Sequence, residues 1–204
     1  MTPKRRPDRI SPASDGLLLI GVSTGGPRAL EQVLPLLPAD FPWPVLVAQH
    51  MPASFTAPFA ARLDACCELE VVEAASPMPV QAGRVYIGKG GADMLLTRRA
   101  GTLTVLPRPE DSAQLWHPSV ELLGRSALQH CTARQLVAVM LTGMGYDGAE
   151  AFTEIKRQGG RTIAESESTA VVFGMPAELI ERGGASLILP LDKIAAQLKT
   201  WAQR

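Results

Sequence analysis

Short apolar runs alternate along this chain with stretches whose apolar residues recur every three to four positions. Residues 17–22 (LLLIGV), 43–49 (WPVLVAQ), 69–74 (LEVVEA), 136–143 (LVAVMLTG), 161–165 (RTIAE) and 186–190 (SLILP) predict strands. Between them lie helical patterns. One opens at Pro27, which suits a first helical position, and carries Leu30, Val33, Leu34 and Leu37 on one face. Others are predicted over 54–66 with Ser54 as cap, 118–131 with Pro118 in the first turn, 148–158 closed by Gly159-Gly160, 176–182 and 191–202. Residues 80–107 are different: VQAGRVYIG, DMLLTR and LTVLPR alternate or are β-branched, with turns at Gly90-Gly91 and Ala100-Gly101. The fold class implied is α/β: a doubly wound, mostly parallel sheet with helices on both faces and a small antiparallel β insertion near 80–107. In such sheets ligands lie beyond the C-terminal ends of the strands, so the informative residues are those after each apolar run.

Composition narrows the picture. A chain of 204 residues holds one domain, assigned to 15–204, and is long enough to bury a core without metal or disulfide staples. Residues 1–14 are rich in Pro and Lys/Arg, and are expected to be a disordered tail or linker remnant. Twenty basic residues balance twenty acidic ones, and aromatics make up 5%, so neither a basic nucleic-acid footprint nor a base-stacking platform is present. No apolar run reaches membrane-spanning length and no secretory signal is evident. Three cysteines, two of them adjacent, do not make a disulfide framework, and a cytoplasmic location fits. Neither the histidines nor the cysteines show zinc-ligand spacing, so no metal or cofactor is expected.

Three strand ends carry the candidate chemistry. After the first strand, Gly21-Val22-Ser23-Thr24-Gly25 fits G-x-S-x-G, a serine on a sharp strand-to-helix turn; a phosphate-binding turn or a simple cap are the alternatives. After the second, His50 stands where a general base could reach Ser23. After the long fourth run, Asp147 opens a helix, either as its N-cap or as the acid that orients His50. The flexible Gly143-Met144-Gly145 backbone could turn an N–H toward a reacting carbonyl. A competing match is G-x-G-x-x-G over Gly143–Gly148 with Glu165 at ribose-binding distance, which would make this a dinucleotide-binding domain.

Taken in order, Ile20–Pro27, Gln49-His50-Met51-Pro52, His117-Pro118-Ser119-Val120, Leu141–Ala149 and Val172–Pro176 resemble the catalytic domain of CheB-type protein-glutamate methylesterases of bacterial chemotaxis. The resemblance runs from about Leu17 to Leu198. It implies a serine esterase acting on γ-glutamyl methyl esters of methyl-accepting chemoreceptor cytoplasmic helices, together with deamidation of particular receptor glutamines. Carried over by motif, Ser23 is the nucleophile, His50 the general base and Asp147 the orienting acid, with Thr24 and Met144 as oxyanion or cleft contacts. Two positions depart from the family pattern: Glu165 where Gln is common, and Gly88-Lys89 where Ala-Pro is usual. Family members usually carry an N-terminal receiver domain; none is expected in the few residues before Leu17, so the chain is read as either a stand-alone methylesterase or an excised catalytic domain. The expectation is therefore activity without a phosphodonor, with any receiver-domain regulator acting in trans. A receptor-docking module without turnover is the other reading of the resemblance.

Overall fold

A computed structural model describes residues 16–203; the tail expected over 1–14 lies outside them. Ten strands and six α-helices follow in the order β1 (Leu17–Val22), α1 (Gly26–Val33), β2 (Val45–Gln49), α2 (Ala53–Cys66), β3 (Glu70–Ala74), β4 (Met78–Pro79), β5 (Arg84–Gly88), β6 (Ala92–Arg99), β7 (Thr102–Pro109), α3 (Val120–His130), β8 (Leu136–Met140), α4 (Ala149–Arg157), β9 (Arg161–Glu165), α5 (Met175–Glu181), β10 (Leu187–Leu189) and α6 (Leu191–Ala202). Seven strands form one sheet, β10-β9-β8-β1-β2-β5-β3, and all its pairings are parallel. Strands β4, β7 and β6 make a small antiparallel sheet.

The two faces follow from strand alternation. Leu18, Ile20 and Val22 of β1 point into a core with Leu30 and Val33 of α1, Phe59 and Leu63 of α2, and Ile194 and Leu198 of α6. Leu17 and Leu19 point the other way, toward Leu123 of α3, Phe152 of α4, Leu179 of α5 and Met94 and Leu96 of the hairpin. Both faces being covered explains why β1, β2 and β8 read as unbroken apolar runs. The chain winds outward from β1 through β2 first, then returns through β8 to the other side, so the sheet's switch point lies at β1.

Three local expectations are corrected. Arg84–Gly88 is a parallel strand between β2 and β3, so the antiparallel sheet begins at Met78–Pro79, resumes at Ala92 and runs to Pro109. The crossover from β3 to β5 uses residues 75–83 without a helix, shorter than parallel neighbours ordinarily need, and its alternating sequence imitates a hairpin. Pro118 precedes α3 rather than opening it, and Ser119 is the N-cap, its Oγ accepting from the Leu122 amide. Ser54 lies inside α2, whose N-cap is Pro52.

Candidate active site

Strand register brings the site together. Val22 pairs with Gln49 across β1 and β2, so one step further Ser23 faces His50 from a strand about 4.8 Å away. The His50 amide donates to Val22 O at 3.1 Å, and the Ser23 amide donates to Thr142 O at 3.0 Å, extending the β1–β8 pairing past Met140. Beyond Ser23 the chain must reverse into α1. The Gly26 amide closes that turn on Ser23 O at 2.8 Å, and Gly25 takes φ +84°, a conformation glycine accepts without strain. Ser23 is left half-exposed at the N-terminus of α1, a helix with no side-chain cap.

His50 Nε2 lies 2.8 Å from Asp147 Oδ2, with the His50 side chain 9% and that of Asp147 3% exposed. An ionised carboxylate only accepts, so the neutral ring carries its hydrogen on Nε2 and leaves a lone pair on Nδ1. Nδ1 is buried and has no hydrogen-bond partner. The ring nitrogens thus exchange the places they hold in the chymotrypsin arrangement, where Nδ1 faces the acid. Ser23 Oγ and His50 Nδ1 are not bonded to each other here; such contacts often tighten only around substrate.

Asp147 does not cap the helix it precedes. Gly148 is the N-cap of α4 and offers no side chain. The carboxylate instead sits on the N-terminus of α3, twenty-odd residues earlier in sequence. Oδ2 accepts the Val120 amide at 2.7 Å, and Oδ1 accepts the Glu121 amide at 2.9 Å and Ser119 Oγ at 3.1 Å. Two free helix amides and the helix dipole stabilise its negative charge. That approach needs α3 to lie almost on the strand backbone. Val120 fills the space where a Cβ on Gly21 or Gly148 would stand.

A second buried acid braces this arrangement, and the sequence reading did not single it out. Asp93, at the start of β6 and 1% exposed, accepts His117 Nδ1 at 2.9 Å, the Ser119 amide at 2.8 Å and the Asp111 amide at 3.0 Å. It anchors the segment whose Trp116 lies parallel to the His50 ring, centroids 6.0 Å apart, and meets Tyr146 edge-on. The detectable signal was an aspartate set among apolar residues at the start of a strand, in Ala92-Asp93-Met94-Leu95-Leu96.

Of the two weaker site residues, Thr24 and Met144 are both exposed, Met144 by 65%. Neither backbone amide has an acceptor among the described residues. The Gly143 loop is held by Val172 O, Gly174 N and Met175 N. Glu165 is fully buried: Oε2 accepts the Thr142 amide at 2.8 Å and Oε1 the Thr169 hydroxyl at 2.9 Å. Burial pushes its pKa up, against the downward pull of these two bonds. This disposes of the dinucleotide alternative. The acid needed for a ribose is turned into the protein, and Trp116 occupies the open side of Gly145.

Around the site the surface is apolar. Phe55 in the first turn of α2, and Leu115, Met144, Tyr146 and Val171 on loops at this edge of the sheet, all stand at least half-exposed. A cleft of about 280 Å³ opens beside Trp116, Tyr146 and Asp147. Among the described residues no cluster suits a metal ion, and no helix is long and apolar enough to cross a membrane.

The fold and site together define a doubly wound α/β domain with a serine and a histidine–aspartate pair at the switch point of its sheet. Residues 18–198 match the CheB methylesterase family, and the chain belongs to that family. It is 56% identical over 189 residues to protein-glutamate methylesterase/protein-glutamine glutaminase 3 of Rhodospirillum rubrum, covering 93% of this chain and 51% of that protein. It is 55% identical to the corresponding protein 2 of Rhodopseudomonas palustris, with 91% and 51% covered. The chain thus spans about half the length of the curated relatives it matches. The crystal structure of the Thermotoga maritima CheB methylesterase catalytic domain superposes with a TM-score of 0.87 at 40% identity, covering 91% of this chain and 98% of that one.

Proposed function

We propose that this chain is a cytoplasmic catalytic domain that hydrolyses γ-glutamyl methyl esters on the cytoplasmic helices of methyl-accepting chemoreceptors. The observation that carries the reading is the His50–Asp147 hydrogen bond of 2.8 Å at the register position opposite Ser23, in a chain of this family. Ser23 Oγ attacks the ester carbonyl and His50 Nδ1 takes its proton. The tetrahedral oxyanion is met by the unpartnered amides of Thr24 and Met144. His50 returns the proton to the methoxy oxygen and methanol leaves. Water, activated by His50, then cleaves the Ser23 ester, giving the glutamate and a free enzyme. Asp147 holds the ring in its working tautomer and stabilises the imidazolium. A receptor glutamine enters the same steps with ammonia as the leaving group. The apolar rim suits a helical protein surface better than a small polar ester.

The test is release of methanol from membranes carrying methyl-labelled receptors, compared with Ser23→Ala. Turnover lost in Ser23→Ala supports the reading, and wild-type turnover in that variant excludes covalent serine catalysis. Receptor binding without turnover by the wild-type chain would replace it with the docking-module reading.

A further inference from the structure

Gln49 closes β2 and is 1% exposed, yet nothing in the chemistry above uses it. Its Nε2 lies 3.0 Å from Ser23 O and 3.0 Å from His50 O. Two carbonyl acceptors fix that end of the side chain as the amide nitrogen. The other end, Oε1, is buried without a hydrogen-bond partner, in space that a Cβ on Gly26 would invade. A buried amide that leaves one atom unpaired is costly, and an apolar side chain would fill the same volume without that cost. What the apolar side chain would not supply is the donor.

The donor's target has a geometric consequence. Ser23 O is drawn inward by two N–H groups, those of Gly26 and Gln49. The Ser23–Thr24 peptide is trans, and in a trans peptide C=O and N–H point in opposite directions. Holding the Ser23 carbonyl against buried Gln49 therefore turns the Thr24 N–H outward, toward the open side of the turn, where it has no acceptor among the described residues. The same Nε2 grips the carbonyl of His50, so one amide group ties the serine's peptide to the base's.

We infer that Gln49 is a positioning residue, which fixes the Ser23–Thr24 peptide so that the Thr24 N–H faces the developing oxyanion and keeps that peptide in register with His50. The inference rests on the proposed serine mechanism, and its test separates the two. Wild-type chain, Gln49→Met and Gln49→Glu are treated with a fluorophosphonate, which reports attack by an activated serine and needs no receptor. Folding is followed by circular dichroism. Met fills the volume without a donor, and Glu places an acceptor oxygen where the donor stood. Labelling of the wild type at Ser23 is expected; its failure would strike the serine mechanism itself. With the wild type labelled, both variants are expected to fold and to label about 10- to 100-fold more slowly, somewhat less than outright removal of an oxyanion donor, which costs about 10²–10³. On methylated receptors the loss should fall on kcat with KM within about twofold, as for an interaction made in the transition state. Labelling within twofold of wild type in a folded variant, or a loss confined to KM, would overturn the inference.

Discussion

Asp147 offers a perturbation whose size follows from its hydrogen bonds. Asp147→Ala removes the acceptor of His50 Nε2, Ser119 Oγ and the Val120 and Glu121 amides at one stroke. A hydrogen bond to a charged group contributes about 1.5–3 kcal/mol, but four that share one carboxylate do not add. Losing a helix cap alone costs about 1 kcal/mol. Removing one partner from a buried charged network costs about 3–5 kcal/mol, and this range applies here because the carboxylate is almost wholly buried. For a domain of this size each kcal/mol moves Tm by about 2–4 °C, so a drop on the order of 10 °C is expected. Asp147→Asn should fall between Ala and wild type. One end of its amide must meet a donor, either orphaning a helix N–H or donating to His50 Nε2. The latter moves the ring hydrogen to Nδ1, where the serine needs a base. Thermal melts and urea titrations, run beside fluorophosphonate labelling of each variant, measure both effects. An Asp147→Ala protein that melts within about 1 °C of wild type would refute the claim that this carboxylate holds the start of α3.

The remaining expectations concern neighbouring groups. Ser23→Ala and His50→Ala should each lower kcat by orders of magnitude, and the double variant should be little worse than either, because the groups act as a unit. Ser23→Ala should also stay within about 0.5 kcal/mol of wild-type stability in urea titration, since its hydroxyl is half-exposed and makes no hydrogen bond to His50 Nδ1. Glu165 titrates above its ordinary range because of burial, so its contribution is fully present below the unfolded pKa and is lost as pH rises through the raised folded value. Glu165→Gln keeps an acceptor for the Thr142 amide, so it should gain stability over wild type at neutral pH and lose that gain in acid; a gain independent of pH in urea titrations would contradict this. Asp93→Ala strips three hydrogen bonds from the 111–119 segment. It should cost roughly 3 kcal/mol in the same titrations and slow Ser23 labelling as Trp116 comes loose from His50.

Most of the parallel sheet was legible because β1, β2 and β8 are buried on both faces, and such strands announce themselves by apolar continuity. The edge was less so. Arg84–Gly88 alternates like a hairpin strand, and its parallel partner β3 is joined to it without the helix that usually marks a crossover. At the site, Ser23 and His50 could be read from their positions at strand ends, because in-register parallel pairing carries such residues together. Asp147 was visible as a residue, but its second attachment was not. Next to its own helix it looks like a local cap, whereas the helix it caps is Val120–His130, brought up by tertiary packing. Asp93 and Gln49 escaped for the same reason: their partners lie far away in sequence or on the backbone, and a single chain advertises neither.

The lodging of Val120 against Gly21 and Gly148 carries a consequence for how variation in this chain should be read. The distance between α3 and the sheet is set there by two missing methyl groups, not by any residue that would touch a substrate. Adding one carbon at either place wedges the helix away from the strand, and the amides that grip Asp147 move with it. Natural or selected variants at Gly21 would then look like catalytic lesions while altering only volume; at Gly148 the φ of +83° adds backbone strain to the same crowding. For Gly21, repair would come from a shaved side chain at position 120 rather than from new chemistry at the site.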